Sequence, residues 1–193
     1  MQMKVFFLGL FSFVLFSCGG SLKGVEAAKA HARLDALVQQ RSFEIVADWA
    51  MPQMTNSMTS VANSGLLPPG SAGNRINLIG NPNYLRIQSD SVSAYLPYYG
   101  ERQMGAGYNS TDRNAITFNG VPKDFEIVKK KRDPGYDVTF GINNETEFYT
   151  VQLSLFPNLT GQIIVNSSQR FVIRYSGDIK EINTDSKDVG FGY

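Results

Sequence analysis

A period of two in hydrophobicity constrains this chain most. From Glu147 to Phe156, the side chains of Tyr149, Val151, Leu153 and Leu155 fall on one face, and Thr150, Gln152 and Ser154 fall on the other. That spacing belongs to a strand with one buried and one wet face. Val138, Phe140 and Ile142 repeat it, as do Phe171, Ile173 and Tyr175 against Val172 and Arg174. From Phe43 onward, short segments rich in β-branched and aromatic residues alternate with Gly, Pro, Asn and Asp, an antiparallel vocabulary. The candidate strands are Ser42 to Ala50, Arg75 to Ile79, Tyr84 to Gln88, Ser91 to Leu96 and Ala115 to Phe118. Then follow Phe125 to Lys131, Tyr136 to Ile142, Glu147 to Phe156, Gly161 to Ser167 and Arg170 to Tyr175. Ten reads as an overcount, and about eight strands are expected. Links as short as Ser89-Asp90, Asn143-Asn144-Glu145 and Pro157-Asn158 make neighbours in sequence neighbours in space. A meander of that kind hides its edges by closing on itself. The expected fold is therefore mainly β, an antiparallel meander forming a small barrel, with an open sandwich as the alternative.

The text before the strands is different. Over residues 25–41, Ala27, Ala30, His31, Leu34, Leu37 and Val38 recur every three and four residues among strong helix formers, which predicts one N-terminal amphipathic helix. Its polar side mixes Glu26, Lys29, Arg33 and Asp35, a pattern that favours packing over membrane contact. Residues 42–181 make the barrel domain. Within it, residues 52–74 carry no periodicity and read as a long loop or arm, and residues 182–193 read as a polar tail.

At the N-terminus, Lys4 precedes an apolar run from Val5 to Phe16, which ends in Leu15-Phe16-Ser17-Cys18 with small residues on both sides of Cys18. The run is shorter than the ~20 residues that span a bilayer, and its small-residue exit marks a cleavage site. Residues 1–17 are thus expected to be a lipoprotein signal, Cys18 the acylated (palmitate-bearing) N-terminus, and residues 18–24 a lipidated leash. Several acyl chains on one residue would anchor the domain to a membrane stably. The chain has 18 Lys plus Arg against 17 Asp plus Glu, and Lys4 belongs to the signal, so the mature domain is formally neutral. This balance gives nucleic-acid binding no support. The dense run Lys129-Lys130-Lys131-Arg132 reads as solvated charge at a strand end that blunts an edge, or as a contact for an anionic headgroup or polysaccharide.

Residues able to do chemistry are few. Cys18 is the one cysteine, so assigning it to lipid leaves no thiol for a disulfide, a metal or a nucleophile. His31 is the one histidine, and a triad or zinc site would have to recruit it from a helix face. Asp133 with Asp137, Glu145 with Glu147, and Asp90 with Asp112 are carboxylate pairs of the kind a glycosidase uses, but they lie in turns, where acids are ordinary. Gly105 and Gly107 lack the spacing of a phosphate loop. No catalytic residue, metal or cofactor is expected. Tyr95, Tyr98, Tyr99 and Tyr108 gather around Pro97 and two glycines, where a strand exit would present flat amphipathic rings to a sugar or a lipid tail. The plainer reading is that these rings plug the barrel mouth.

The stretch Asn83-Tyr84-Leu85-Arg86-Ile87-Gln88-Ser89-Asp90-Ser91-Val92-Ser93-Ala94-Tyr95-Leu96-Pro97-Tyr98-Tyr99-Gly100 resembles the core signature of a Bacteroidetes lipoprotein family, domain of unknown function 4251. The lipobox, Phe43-Glu44-Ile45-Val46-Ala47 with Pro52 beyond, Ile116 to Phe118, Lys129-Lys130 and the Gly161 to Tyr175 strands agree in order and spacing. The resemblance implies a small secreted or lipid-anchored domain, a lipocalin or calycin-like barrel and no assigned activity. Where relatives continue after Gly100 with an Ala-Pro-Tyr-Gly-like turn, this chain has Gly105-Ala106-Gly107-Tyr108. Asp90-Ser91-Val92 is similar to the acidic, hydroxyl, apolar tripeptide O-glycosylated in that group of bacteria, which makes Ser91 a candidate for modification. The leading expectation is a non-enzymatic, lipid-anchored module binding a small apolar ligand or a glycan at the tyrosines. The alternatives are a structural protein with a side-chain-filled barrel that docks on an envelope partner, and a carboxylate hydrolase. No acidic run follows Cys18, so the module is placed at the outer membrane facing the periplasm rather than displayed on the surface.

Overall fold

The computed structural model describes residues 22–103, 114–131, 134–144 and 147–182. Cys18, Tyr108, Asp112, Asp133, Glu145, Gly105 and Gly107 lie outside the described residues, as do the signal and nearly all of the tail. Helix α1 (Leu22–Gln40) is followed by β1 (Ser42–Pro52), α2 (Asn56–Asn63), β2 (Ile76–Asn77), β3 (Tyr84–Gln88), β4 (Ser91–Pro97) and β5 (Ala115–Gly120). The chain continues with β6 (Lys123–Lys129), β7 (Tyr136–Asn144), β8 (Glu147–Leu155), β9 (Thr160–Ser167) and β10 (Ile173–Glu181).

All the pairings are antiparallel, in the order β5-β4-β3-β1-β10-β9-β8-β7-β6, with β2 beside β1. The first long strand pairs with the last, and β5 and β6 stand at the two ends of the order although only Val121 and Pro122 separate them in sequence. The sheet therefore has to curl until its two ends meet. This makes a half-barrel whose seam is one run of chain, β5 held by β4 and β6 held by β7. Side chains cross the seam: Asn144 Nδ2 donates to Thr117 O at 2.7 Å, and the Phe118 ring meets Phe140 at 6.2 Å and Tyr149 at 5.8 Å. The barrel-like, mainly β fold with an N-terminal helix is the one the alternation implies.

Two expectations need correcting. Ten strands form among the described residues rather than about eight, because β2 is a separate two-residue strand and none of the other candidates merge. The last strand also runs to Glu181 rather than stopping at Tyr175. The added residues include Gly177, which this strand needs. A Cβ there would lie 1.9 Å from Val46 O, at the point where the β1–β10 register slips between Ala47 and Trp49. Residues 52–74 include helix α2. Thr55 Oγ1 caps α2 by accepting from Met58 N at 3.1 Å, Met58 is buried, and Leu67 packs on the core.

The alternating apolar side chains point inward and form one cluster that includes Phe43, Ile45, Leu85, Phe140, Val151, Leu153 and Tyr175. Helix α1 joins this cluster only through its second half, where Leu34, Leu37 and Val38 are buried; Val25 and Ala27 remain exposed. Tyr136 donates to Asp35 at 2.7 Å and fixes the helix to β7. Among the described residues, no helix is long and apolar enough to cross a membrane.

Candidate functional site

The tyrosines predicted as a group separate by strand parity. On β4, Val92, Ala94 and Leu96 point inward, and this phase carries Tyr98 inward too, 7% exposed, whereas Tyr95 points outward, 41% exposed. Tyr98 is fully committed. Its hydroxyl lies 2.7 Å from Glu101 O and 3.0 Å from Phe171 O, one proton between two carbonyls, and the Arg170 guanidinium sits 5.1 Å from its ring centroid. Burial pushes its phenol up to about 12, against the lowering charge of Arg170. Tyr99 is half-buried against the core, and its phenol is raised by burial and by the neighbouring Tyr95. On the outer face, Tyr95 stands directly opposite Tyr84 of β3. Arg86 covers the Tyr84 ring at 4.3 Å and is itself held by Glu44 at 2.8 Å. The outward rings of this strand pair are thus Tyr84 and Tyr95.

Beneath Tyr98 lies a buried polar network that the sequence does not announce. Arg170 pairs with Glu147 through Nε at 2.8 Å and Nη2 at 3.1 Å, and its Nη1 donates to Ala115 O at 2.9 Å. Ser167 Oγ donates to the same carboxylate and accepts from Gln169 N at 2.9 Å. Burial would raise the Glu147 pKa, but hydrogen bonds from Arg170, Ser167 and Tyr149 outweigh it and hold the carboxyl below its ordinary value. Burial also raises the phenols of Tyr149 and, further, Tyr175, whose hydroxyl donates to Pro97 O at 2.9 Å. Every buried polar side-chain atom among the described residues has a partner. The network is a clamp across β5, β8 and the β9–β10 connection, in which Glu147 serves as a structural anion.

Each carboxylate pair weighed for hydrolysis has one member outside the described residues. Of the others, Asp137 accepts from Ser154 at 2.8 Å and Lys130 at 3.1 Å, and Asp90 is exposed at a turn. His31 is half-buried on α1, beside an open groove formed with Phe156 and Pro157. No group of three metal-ligating side chains occurs among the described residues. Ser91 opens β4, half-buried, and its hydroxyl donates to Gln88 O at 3.0 Å. Lys129 and Lys130 carry salt bridges to Asp35 and Asp137, so this end of the basic run is paired charge at a strand end.

An antiparallel half-barrel with an N-terminal helix and a packed interior is consistent with a calycin-like barrel, a scaffold that by itself fixes no function. The comparisons give the family. The model of the domain of unknown function DUF4251 matches residues 25–179, and the chain belongs to that family. The crystal structure of a DUF4251 family protein from Bacteroides eggerthii is similar over 80% of this chain and 89% of its own, with a TM-score of 0.54 at 13% identity, a likeness of fold. Among curated proteins nothing matches.

Proposed function

We propose that this chain is a non-enzymatic binding module, held at the outer membrane by lipid on Cys18 and facing the periplasm, that contacts a glycan through its outward tyrosines. The observation carrying this reading is the cross-strand pair Tyr84–Tyr95 on the outer face, with Tyr99 close by. Flat rings standing on a rigid sheet lose little freedom when a sugar's apolar face stacks on them. The outer surface suits a ligand better than the interior, because the inward positions of β3 and β4 belong to the core and Tyr98 already serves two carbonyls.

The test is calorimetric titration of neutral oligosaccharides into the domain, with Tyr95→Ala, Tyr84→Ala and Tyr98→Phe beside the parent. Binding that falls roughly tenfold or more in the first two variants and persists in the third supports the reading. Binding indifferent to Tyr95 and Tyr84, or none to any neutral glycan, sinks it. The intact mass of protein isolated from its native envelope reports acylation of Cys18 and any glycan on Ser91 separately from this result. A second reading, a structural protein docking on an envelope partner, draws on the continuous packing of the interior. It gains ground if co-isolation yields a stoichiometric protein and the glycan titrations are silent.

A further inference from the structure

Some twenty ångströms from Tyr98, at the other end of β4 by its rise of ~3.3 Å per residue, the α1–β1 junction, the β3–β4 turn and the β5–β6 link enclose a second feature. They surround a cleft of about 300 Å³ lined by Arg41, Ser89, Asp90, Ser91, Val121 and Phe125, among others. Its volume lies at the lower end of the ~300–1,000 Å³ of small-molecule sites. The lining pairs an apolar wall, with Val121 75% exposed, with a guanidinium and two hydroxyl-bearing serines. Arg41 is held at the wall by its position over the Phe125 ring, 5.0 Å from the centroid, and Phe125 is backed by Phe140 at 5.9 Å. Its contact with Asp90 is long, 3.5 Å between side chains 45% and 89% exposed, so most of its donor fork remains available.

The backbone supplies an independent observation. Arg41 has φ 48 just after the last residue of α1, and Ser89 has φ 55 as the first of the two residues joining β3 to β4. Both places favour glycine, the first as the residue following a helix and the second as a tight hairpin turn. The chain uses glycine at positive φ at Gly65, Gly70 and Gly80, and among the described residues two other non-glycine residues share that conformation, Asp124 and Leu159. Here it keeps side chains in a conformation that costs free energy, and both line one cleft, tied together by Ser89 N donating to Arg41 O at 2.8 Å.

We infer that this cleft binds a small carboxylate with a compact apolar or sugar body, its anion held by Arg41 and its body against Val121 and Phe125. The fork geometry of Arg41 suits a carboxylate, and the serine hydroxyls add neutral partners. The test titrates glucuronate and hexanoate, with glucose and hexanol as their neutral counterparts, into the domain and into Arg41→Gly and Arg41→Asn. Both variants accept positive φ, so the melting temperature should hold or rise while the guanidinium is lost; the second serves if the first does not fold. The inference requires that at least one acid binds, that its neutral counterpart binds roughly tenfold more weakly, and that the variants lose a similar factor. Preference for glucuronate identifies a sugar acid, and preference for hexanoate identifies an apolar acid. Equal binding of acid and neutral probe, no binding at about 10 mM, or full binding by the folded variants overturns it.

Discussion

Arg170 joins more of the molecule than any residue around it. It reaches Glu147 on β8, Ala115 on β5 and the face of Tyr98, and it is 5% exposed. Removing one partner of such a pair leaves an uncompensated charge in a dry place, which costs far more than the pair contributes. Arg170→Met should therefore destabilise the fold by about 3–5 kcal/mol, and adding Glu147→Gln should recover part of that. Urea denaturation of the two single variants and the double variant checks the coupling. The ionisation behaviour follows from the same residues. Glu147 is held below its ordinary pKa, so its contribution is present above the ordinary carboxylate range and is lost as pH falls through the folded value. The phenols act in the opposite direction: Tyr98 is raised to about 12, and Tyr149 and Tyr175 are also raised. Unfolded phenols ionise near ~10, so the unfolded state releases protons first and stability falls as pH climbs from there through the folded value. An alkaline titration followed by phenolate absorbance should show the exposed tyrosines ionising early. The buried ones should ionise together with loss of the far-ultraviolet β signal; early ionisation of all nine tyrosines without unfolding would contradict this.

Among the elements, the β1–β10 pair carries the sharpest steric condition. Gly177→Ala would place a Cβ against Val46 O and Ala47, and a backbone obstacle cannot swing aside as a side-chain tip can. The expected cost is about 3 kcal/mol or more, read as a lower urea midpoint with the m-value unchanged. Thr55→Ala, which removes the cap of α2, should cost only about 1 kcal/mol. These two sites also mark how far the fold was legible. The alternation from Tyr149 to Leu155 located β8 and its buried face, because period two is a local property of the text. The extension of β10 past Tyr175 was not legible, because a strand glycine required by a neighbouring backbone looks, in one dimension, like a turn. Asn83 opens the Asn83 to Gly100 stretch, and its amide accepts from Ala47 N at 2.7 Å and donates to Ala47 O at 2.9 Å, standing in for a strand partner in a way no local pattern expresses. Arg170 and Glu147 are 23 residues apart, and no short-range pattern can express their pairing. Of the candidate site, the separation of Tyr95 from Tyr98 was available in the parity of β4, had the inward phase of Val92, Ala94 and Leu96 been extended past Pro97.

At the scale of the whole molecule, the half-barrel has a centre and two ends of unequal security. β1 and β10 share a long register, from Phe43 with Glu181 to Pro52 with Ile173, and each has a further neighbour on its other side. β5 and β6 each have one paired neighbour, and β6 is mostly exposed, with Phe125 and Ile127 half-buried against the core. Across the seam, the described contacts are between side chains or from side chain to backbone, led by Asn144 with Thr117 and by Phe118 with Phe140 and Tyr149. Local opening selects segments with few buried apolar contacts and exposed backbone hydrogen bonds, so amide exchange should grade around the barrel. The amides of β6 should exchange first and those of β5 next, while the inner amides of β1, β9 and β10 should exchange only with global unfolding. Phe118→Ala removes the ring that packs across the seam and should cost about 3–5 kcal/mol, with faster exchange concentrated in β5 and β7. Protection in β5 and β6 equal to that in β10 would mean that backbone pairing closes the barrel in solution. The seam would then be a rigid wall, and the cleft beside Val121 and Phe125 would keep its shape whether or not an anion occupies it.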